Sequence, residues 1–183
     1  MRRILYLSLI LAAAIPFVQA QDKKAPPKPI PAQVQRGRDL FEKSTKGTPC
    51  GTCHSLAGVG TAVGPDLKTI ASVVGSHGIV MSIRMTMTAY VQEVQTKDGA
   101  FPGMLKQKDG DQLQIWDLSK TPPELKTFAS KDVTSMKGNQ TWKHPPATVQ
   151  YTSQELADVI AFMKWAATGS TKEIKIEDVE DAK

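Results

Sequence analysis

Residues 50–54 read Cys-Gly-Thr-Cys-His, and their types and spacing suit one chemistry above others. Two thiols separated by two residues, with an imidazole directly after the second, match covalent haem attachment. The thiols add across the two porphyrin vinyl groups, and the histidine beneath the ring binds the iron. Three other chemistries use a Cys-x-x-Cys pair. A thiol–disulfide couple belongs at a helix start after a buried strand, where the first thiolate is stabilised. Here Lys46-Gly47-Thr48-Pro49 precedes Cys50, with no strand signal. A zinc site would need two more ligands, His77 and His144, at spacings that follow no common zinc pattern. A structural disulfide closing so short a gap confers little. The chain has only these 2 cysteines, which excludes a disulfide-stapled miniprotein and a four-cysteine zinc or iron–sulfur site within one chain. The expected cofactor is therefore one covalent haem c, held by Cys50 and Cys53, with His54 as proximal iron ligand.

Covalent attachment suits an exported setting, where a lost haem would not be recovered, and the first residues provide an address. Arg2 and Arg3 precede an apolar run over residues 4–18, broken only by Ser8 and Pro16, and the run ends Val18-Gln19-Ala20. This reads as a secretory signal over residues 1–20, cleaved after Ala20, with a periplasmic destination. The run is shorter than the roughly 20 residues of a spanning helix, and no later stretch is long and apolar enough to span, so no membrane span is expected after cleavage. At 183 residues, 40% hydrophobic and 22% charged, the chain suits one globular domain. Its net charge of +5 includes no run of five like charges, so no nucleic-acid partner is expected.

The elements that must position the site follow in order. Residues 21–32 hold four prolines and three lysines and read as a flexible leader. From Gln33 a helical pattern begins, with Val34, Gly37, Leu40 and Phe41 on one face, and it ends near Lys46. Residues 54–80 are glycine-rich loop, with a short helix over 66–74, and a further helix over 79–87. The texture then turns to β. Hairpin signals at Lys97-Asp98-Gly99 and Lys108-Asp109-Gly110 separate short alternating segments, predicting an antiparallel meander of three or four strands over 88–130. Thr152-Ser153-Gln154-Glu155 is a capping box. Leu156, Val159, Ile160, Met163 and Ala166 then line one helix face up to Gly169, a plausible stop. The charged tail, 170–183, is expected to fray.

Over residues 33–87 and 143–167 the chain resembles the small, mainly helical bacterial monohaem cytochromes c. The resemblance rests on the first helix with Gly37 and Phe41, the Cys50–His54 motif, Gly64-Pro65-Asp66-Leu67, and the last helix from Glu155 to Met163. It implies a mainly α cytochrome c fold over 33–169 with the small β-meander inserted at 88–130, α+β overall. It implies that the first and last helices cross at Gly37 and that Phe41 packs on Phe162. It implies that the Pro65 carbonyl orients His54. The family's distal ligand, commonly a methionine followed by proline, comes from the loop before the last helix. No Met-Pro pair exists here, and Trp142-Lys143-His144-Pro145-Pro146 occupies that place. His144 is the expected distal ligand and Met136 the runner-up. His77, Met81, Met85, Met87 and Met104 are weaker candidates.

A haem ligated on both faces has no open position for substrate. The expected function is therefore single-electron transfer between redox protein partners, without enzymatic catalysis. The alternatives are a haem-bearing subunit or module of a periplasmic dehydrogenase, or a haem sensor if the sixth position is open.

Overall fold

The computed structural model describes residues 29–85, 89–145 and 150–180. The expected signal segment, most of the leader, Met87, Pro146 and the last three residues lie outside the described residues. The described chain begins with α1 (Ala32–Lys43), then a 3-10 turn at Cys50–Thr52 and a two-stranded hairpin of β1 (Ser55–Leu56) and β2 (Val59–Gly60). Two short helices follow, α2 (Lys68–Val73) and α3 (Ser76–Arg84). Five strands come next, β3 (Gln92–Thr96), β4 (Gly99–Asp109), β5 (Gln112–Asp117), β6 (Glu124–Ala129) and β7 (Val133–Gly138). Helix α4 (Ser153–Thr168) closes the fold.

The helical body is built on the crossing of α1 and α4. Both carry apolar stripes at helical spacing, and Val34, Gly37 and Phe41 of α1 are buried. At the crossing there is no room for a side chain: a Cβ on Gly37 would lie 1.8 Å from the Asp158 carbonyl oxygen. One turn on, the Phe41 and Phe162 rings meet at 5.4 Å between centroids. The Arg36 guanidinium reinforces the contact by donating to both oxygens of Asp158, at 2.7 and 2.9 Å. Such a bidentate pair holds a carboxylate that is only 3% exposed. The start of α4 is fixed by the capping box. Thr152 Oγ1 accepts from the Glu155 N–H, and Glu155 Oε2 accepts from the Thr152 N–H. Gly169, at φ 73°, stops the helix in the left-handed conformation.

The five strands form one antiparallel sheet in the order β6-β5-β4-β3-β7. Consecutive β6 and β7 lie on opposite edges, yet only the three residues Ser130–Asp132 join them, as a 3-10 turn. In a flat sheet those edges would stand four strand spacings apart, about 19 Å. Three residues of 3-10 helix advance about 6 Å. The sheet must therefore roll up, and β4 shows how. Its first half, to Gly103, pairs with β3, and its second half, from Gly103, pairs with β5. Gly103 is the corner: a Cβ there would lie 2.7 Å from Val94 and 2.9 Å from Ile115. A register shift between Leu105 and Gln107 adds to the coiling. Inside the roll, Val94, Leu113 and Ile115 form a second apolar cluster, separate from that of the helices, with Phe101 stacked on Phe128 at 5.9 Å.

This architecture corrects the expected fold class. Among the described residues there are four α-helices and seven strands in two antiparallel sheets. The protein is mixed α and β, with a five-stranded sheet as a second body. It does not have the mainly helical cytochrome c fold, and the expected family resemblance is not borne out. The physical reason is that the β region extends further than a small meander. Strand β7 falls beyond the expected 88–130 because Val133 and Met136 are three apart, off the period of two. The structure absorbs the odd residue in a register shift opposite Gln95 and Thr96. The tail also differs from expectation. Ile174 and Val179 are 7% and 1% exposed, packed in the helical core. The Gln33 side-chain amide pairs with both backbone groups of Ile174, at 2.7 and 3.0 Å. Two apolar residues among many charges are enough to hold that segment down.

Candidate functional site

Pro49 leads into the 3-10 turn at Cys50–Thr52, and the backbone N–H groups of Cys53 and His54 both donate to the Cys50 carbonyl. The turn places the two thiols and the imidazole within five residues of chain. Gly51 lets it sit on α1, since a Cβ there would lie 3.1 Å from the Phe41 carbonyl oxygen. The chain then doubles back through the β1–β2 hairpin. Gly60, at φ 82°, packs where a Cβ would lie 2.2 Å from the His54 carbonyl oxygen. The Gly64 N–H donates to the Cys53 carbonyl, bringing Gly64-Pro65 alongside the imidazole.

His54 Nδ1 lies 2.8 Å from the Pro65 carbonyl oxygen. A carbonyl only accepts, so Nδ1 carries the proton and Nε2 keeps a free lone pair. The ring is gripped from another side by Gly64, where a Cβ would lie 2.6 Å from His54 Cε1. Burial lowers the His54 pKa, opposed by the bond to Pro65. Burial also lowers that of His144, and the neighbouring His54 adds to the effect. Both imidazoles are thus held neutral near pH 7, the form that binds a metal. The thiols move the other way. Burial pushes Cys50 up to about 11 and raises Cys53. That is the reverse of the depressed thiolate a disulfide oxidoreductase needs.

Cys50, Cys53, His54, Pro65 and His144 all lie on the wall of one cavity of about 570 Å³. Its volume is that of a small-molecule or cofactor site. The helical body contributes Phe41, Ile79, Val159 and Met163 to the wall, and the sheet contributes Met104, with Val91 and Leu118 beside its strands. The two imidazole ring centres lie 6.1 Å apart, with their planes tilted by 50°. An atom bound by nitrogen from both rings at about 2.0 Å would set those centres about 6 Å apart. Trp142 stands beside His144, its ring centre 6.3 Å away and edge-on.

The remaining sequence candidates fall elsewhere or play other parts. Met136 is in β7, packed against the Val94 cluster of the sheet, and is not a wall residue. His77 and Met81 lie on α3 and do not line the cavity. Met85 and Met104 do line it.

No protein-family model matches this chain, and no curated protein matches it either.

Among the described residues no three His, Cys, Asp or Glu side chains gather into a group that could hold a metal ion. A porphyrin iron brings four nitrogens of its own and asks the chain for one or two, which is what the cavity offers. The donor set, the apolar walls and the cavity size fit a haem. Sequence reasoning carries Met104 only as a weak ligand candidate and misses Val91 and Leu118 as wall residues, because it treats the β segment as an insertion apart from the site. Which face of a strand meets a distant helix is set by tertiary placement, and a single sequence carries no signal of it. Among the described residues no helix is long and apolar enough to cross a membrane.

Proposed function

We propose that the chain carries one covalently bound haem and passes single electrons between redox protein partners after export to the periplasm. One observation carries the reading. The Cys50-x-x-Cys53-His54 turn and His144, distant in sequence, meet on the wall of a single apolar cavity, with the two imidazole centres 6.1 Å apart. Bound haem supplies a one-electron iron couple. Every other part belongs to the chain. Cys50 and Cys53 anchor the group through thioethers, so it cannot be lost outside the cell. His54 is held in one tautomer by the Pro65 carbonyl, leaving Nε2 to bind. His144 presents a second neutral imidazole, its ring centre 6.1 Å from that of His54. Phe41, Ile79, Val159 and Met163 exclude water, and a low dielectric favours the less charged oxidation state. If His54 and His144 both held the iron, no open position would remain for substrate, which favours electron transfer over catalysis.

The test is the absorption spectrum of the exported protein in both oxidation states, with a covalent-haem stain after denaturing electrophoresis. One haem per chain that stays on the denatured polypeptide is expected. Cys50→Ala combined with Cys53→Ala should abolish the stain. A folded, colourless wild-type chain secreted from a host with a working haem-attachment system would overturn the proposal.

A further inference from the structure

His144 belongs to no helix or strand, and a ligand on an unsupported loop would be poorly placed. The structure shows what supports it. Asn139, just after β7, donates its backbone N–H to the Val91 carbonyl at 2.9 Å, at the entry to β3. Its side-chain oxygen then accepts three hydrogen bonds. They come from the Thr141 N–H at 3.0 Å, the Thr141 hydroxyl at 2.9 Å and the Trp142 N–H at 2.9 Å. One side chain thus ties the next three residues into a fixed turn. Val91, at the other end of the tie, is itself 1% exposed and on the cavity wall. Beyond the turn, the Trp142 ring packs edge-on to His144.

We infer that Asn139 is a positioning residue: it anchors the His144 loop to the base of the sheet, so that the sheet, and not the helical body, sets the distal side of the site. The inference rests on the haem reading above. It assigns the five-stranded body a task. The proximal imidazole is fixed by the loop packed on α1, and the distal imidazole by β3 and β7. The distance between them is then a property of how the two bodies meet. The oxygen of Asn139 is the working atom, because all three side-chain bonds are accepted there. An aspartate keeps that acceptor and an alanine removes it.

The experiment compares wild type with Asn139→Ala and Asn139→Asp, each as the full-length exported protein. Haem content and thermal midpoint are measured first. The limiting rate at which carbon monoxide binds the reduced protein is measured next, since at saturating gas it reports release of the distal ligand. Asn139→Ala is expected to keep one haem per chain and to raise that rate by about tenfold or more, the scale of one or two lost hydrogen bonds. Its ferric spectrum should gain a high-spin component. Asn139→Asp should stay within about twofold of wild type. If Asn139→Ala does not accumulate, Thr141→Val removes one of the three donors and should shift the rate in the same direction by a smaller factor. An unchanged rate in the haem-bearing alanine or valine variant overturns the inference alone. So does an equal shift in alanine and aspartate, which would mark a role in folding only. A wild-type ferric spectrum showing a sulfur–iron band likewise overturns it, since His144 would then not be the ligand. A wild type without haem overturns the proposed function, and the inference with it.

Discussion

Backbone groups, more than side chains, hold the His54 ring: the Pro65 carbonyl on one nitrogen and the bare Cα of Gly64 against one carbon. Gly64→Ala would force a methyl group to 2.6 Å from Cε1, so the ring or the loop must move. We expect a loss of about 1–3 kcal/mol in stability. A changed ferric spectrum with haem content retained should accompany it, measured by thermal melting and absorption. Two further substitutions separate a ligand from a core residue. His144→Ala should turn the ferric iron high-spin and let the reduced protein bind carbon monoxide without waiting for release of a distal ligand, with little change in folding. Met136→Ala should leave the spectrum as it is and cost about 2 kcal/mol through the cavity left beside Val94. The opposite pattern, spectral change in Met136→Ala alone, would show that the sheet yields its methionine to the iron.

At the scale of elements, the tightest contact is the crossing of α1 and α4. Gly37→Ala places a carbon 1.8 Å from a backbone oxygen that cannot rotate away, so the helices must separate. A loss of more than about 4 kcal/mol, or failure to accumulate folded protein, is expected from denaturant unfolding. The two helices were legible in the sequence because they rest on local signals, whereas their crossing at Gly37 was only what the family resemblance implied. Val34, Gly37 and Phe41 fall on one face of α1, and the Thr152 box and Gly169 bracket α4. The turns at Gly99 and Gly110 were legible for the same reason, since both need positive φ, at 127° and 54°. What escaped was everything decided at long range. The corner at Gly103 depends on Val94 and Ile115 closing over it, and nothing near Gly103 in the chain announces that. The place of β7 beside β3 depends on a register shift. Burial of Ile174 depends on Gln33, 141 residues away. The site residues Cys50, Cys53 and His54 sit in one five-residue turn, so their grouping needed no tertiary knowledge. The wall contributed by Met104 and Leu118 did.

For the whole molecule, the buried ionisable groups fix a direction for acid sensitivity. Burial alone would raise the Asp117 carboxyl. The Lys126 ammonium and two Ser119 donors outweigh it and hold the group below its ordinary value. Lys46 and the Thr152 N–H lower Glu155 in the same way. A carboxylate depressed in the folded state adds stability above its unfolded pKa of about 4, and that stability is lost as pH falls through the folded value. His54 and His144 are also depressed, by burial. Below about pH 6.5 the unfolded chain takes up protons that the folded chain refuses, so stability falls there too. In the haem-free double variant Cys50→Ala, Cys53→Ala, where both imidazoles are unligated, denaturant midpoints should therefore drop in two stages. One stage lies below about pH 6.5 and is removed by His54→Phe with His144→Phe. The other lies below about pH 4 and is weakened by Lys126→Met. A midpoint flat from pH 8 to 5 would contradict the first stage.

The bond from the Asn139 N–H to the Val91 carbonyl has a consequence for the molecule as a piece of architecture. The five-stranded body leaves the rest of the chain and returns to it at the same point, so the polypeptide enters and exits through a single doorway. A segment attached in that way can be grafted. Replacing residues 92–138 with a two-glycine link spans a gap that is already closed, and loop-closure entropy changes little when the ends are neighbours. The helical body, whose apolar cluster contains none of the excised residues, should keep its helical circular dichroism. Conversely, the excised sheet could be spliced into another host loop whose ends approach as closely, taking its own apolar cluster with it. Its interior is complete without the host, but one of its outer surfaces is finished only where Met104 meets the cavity.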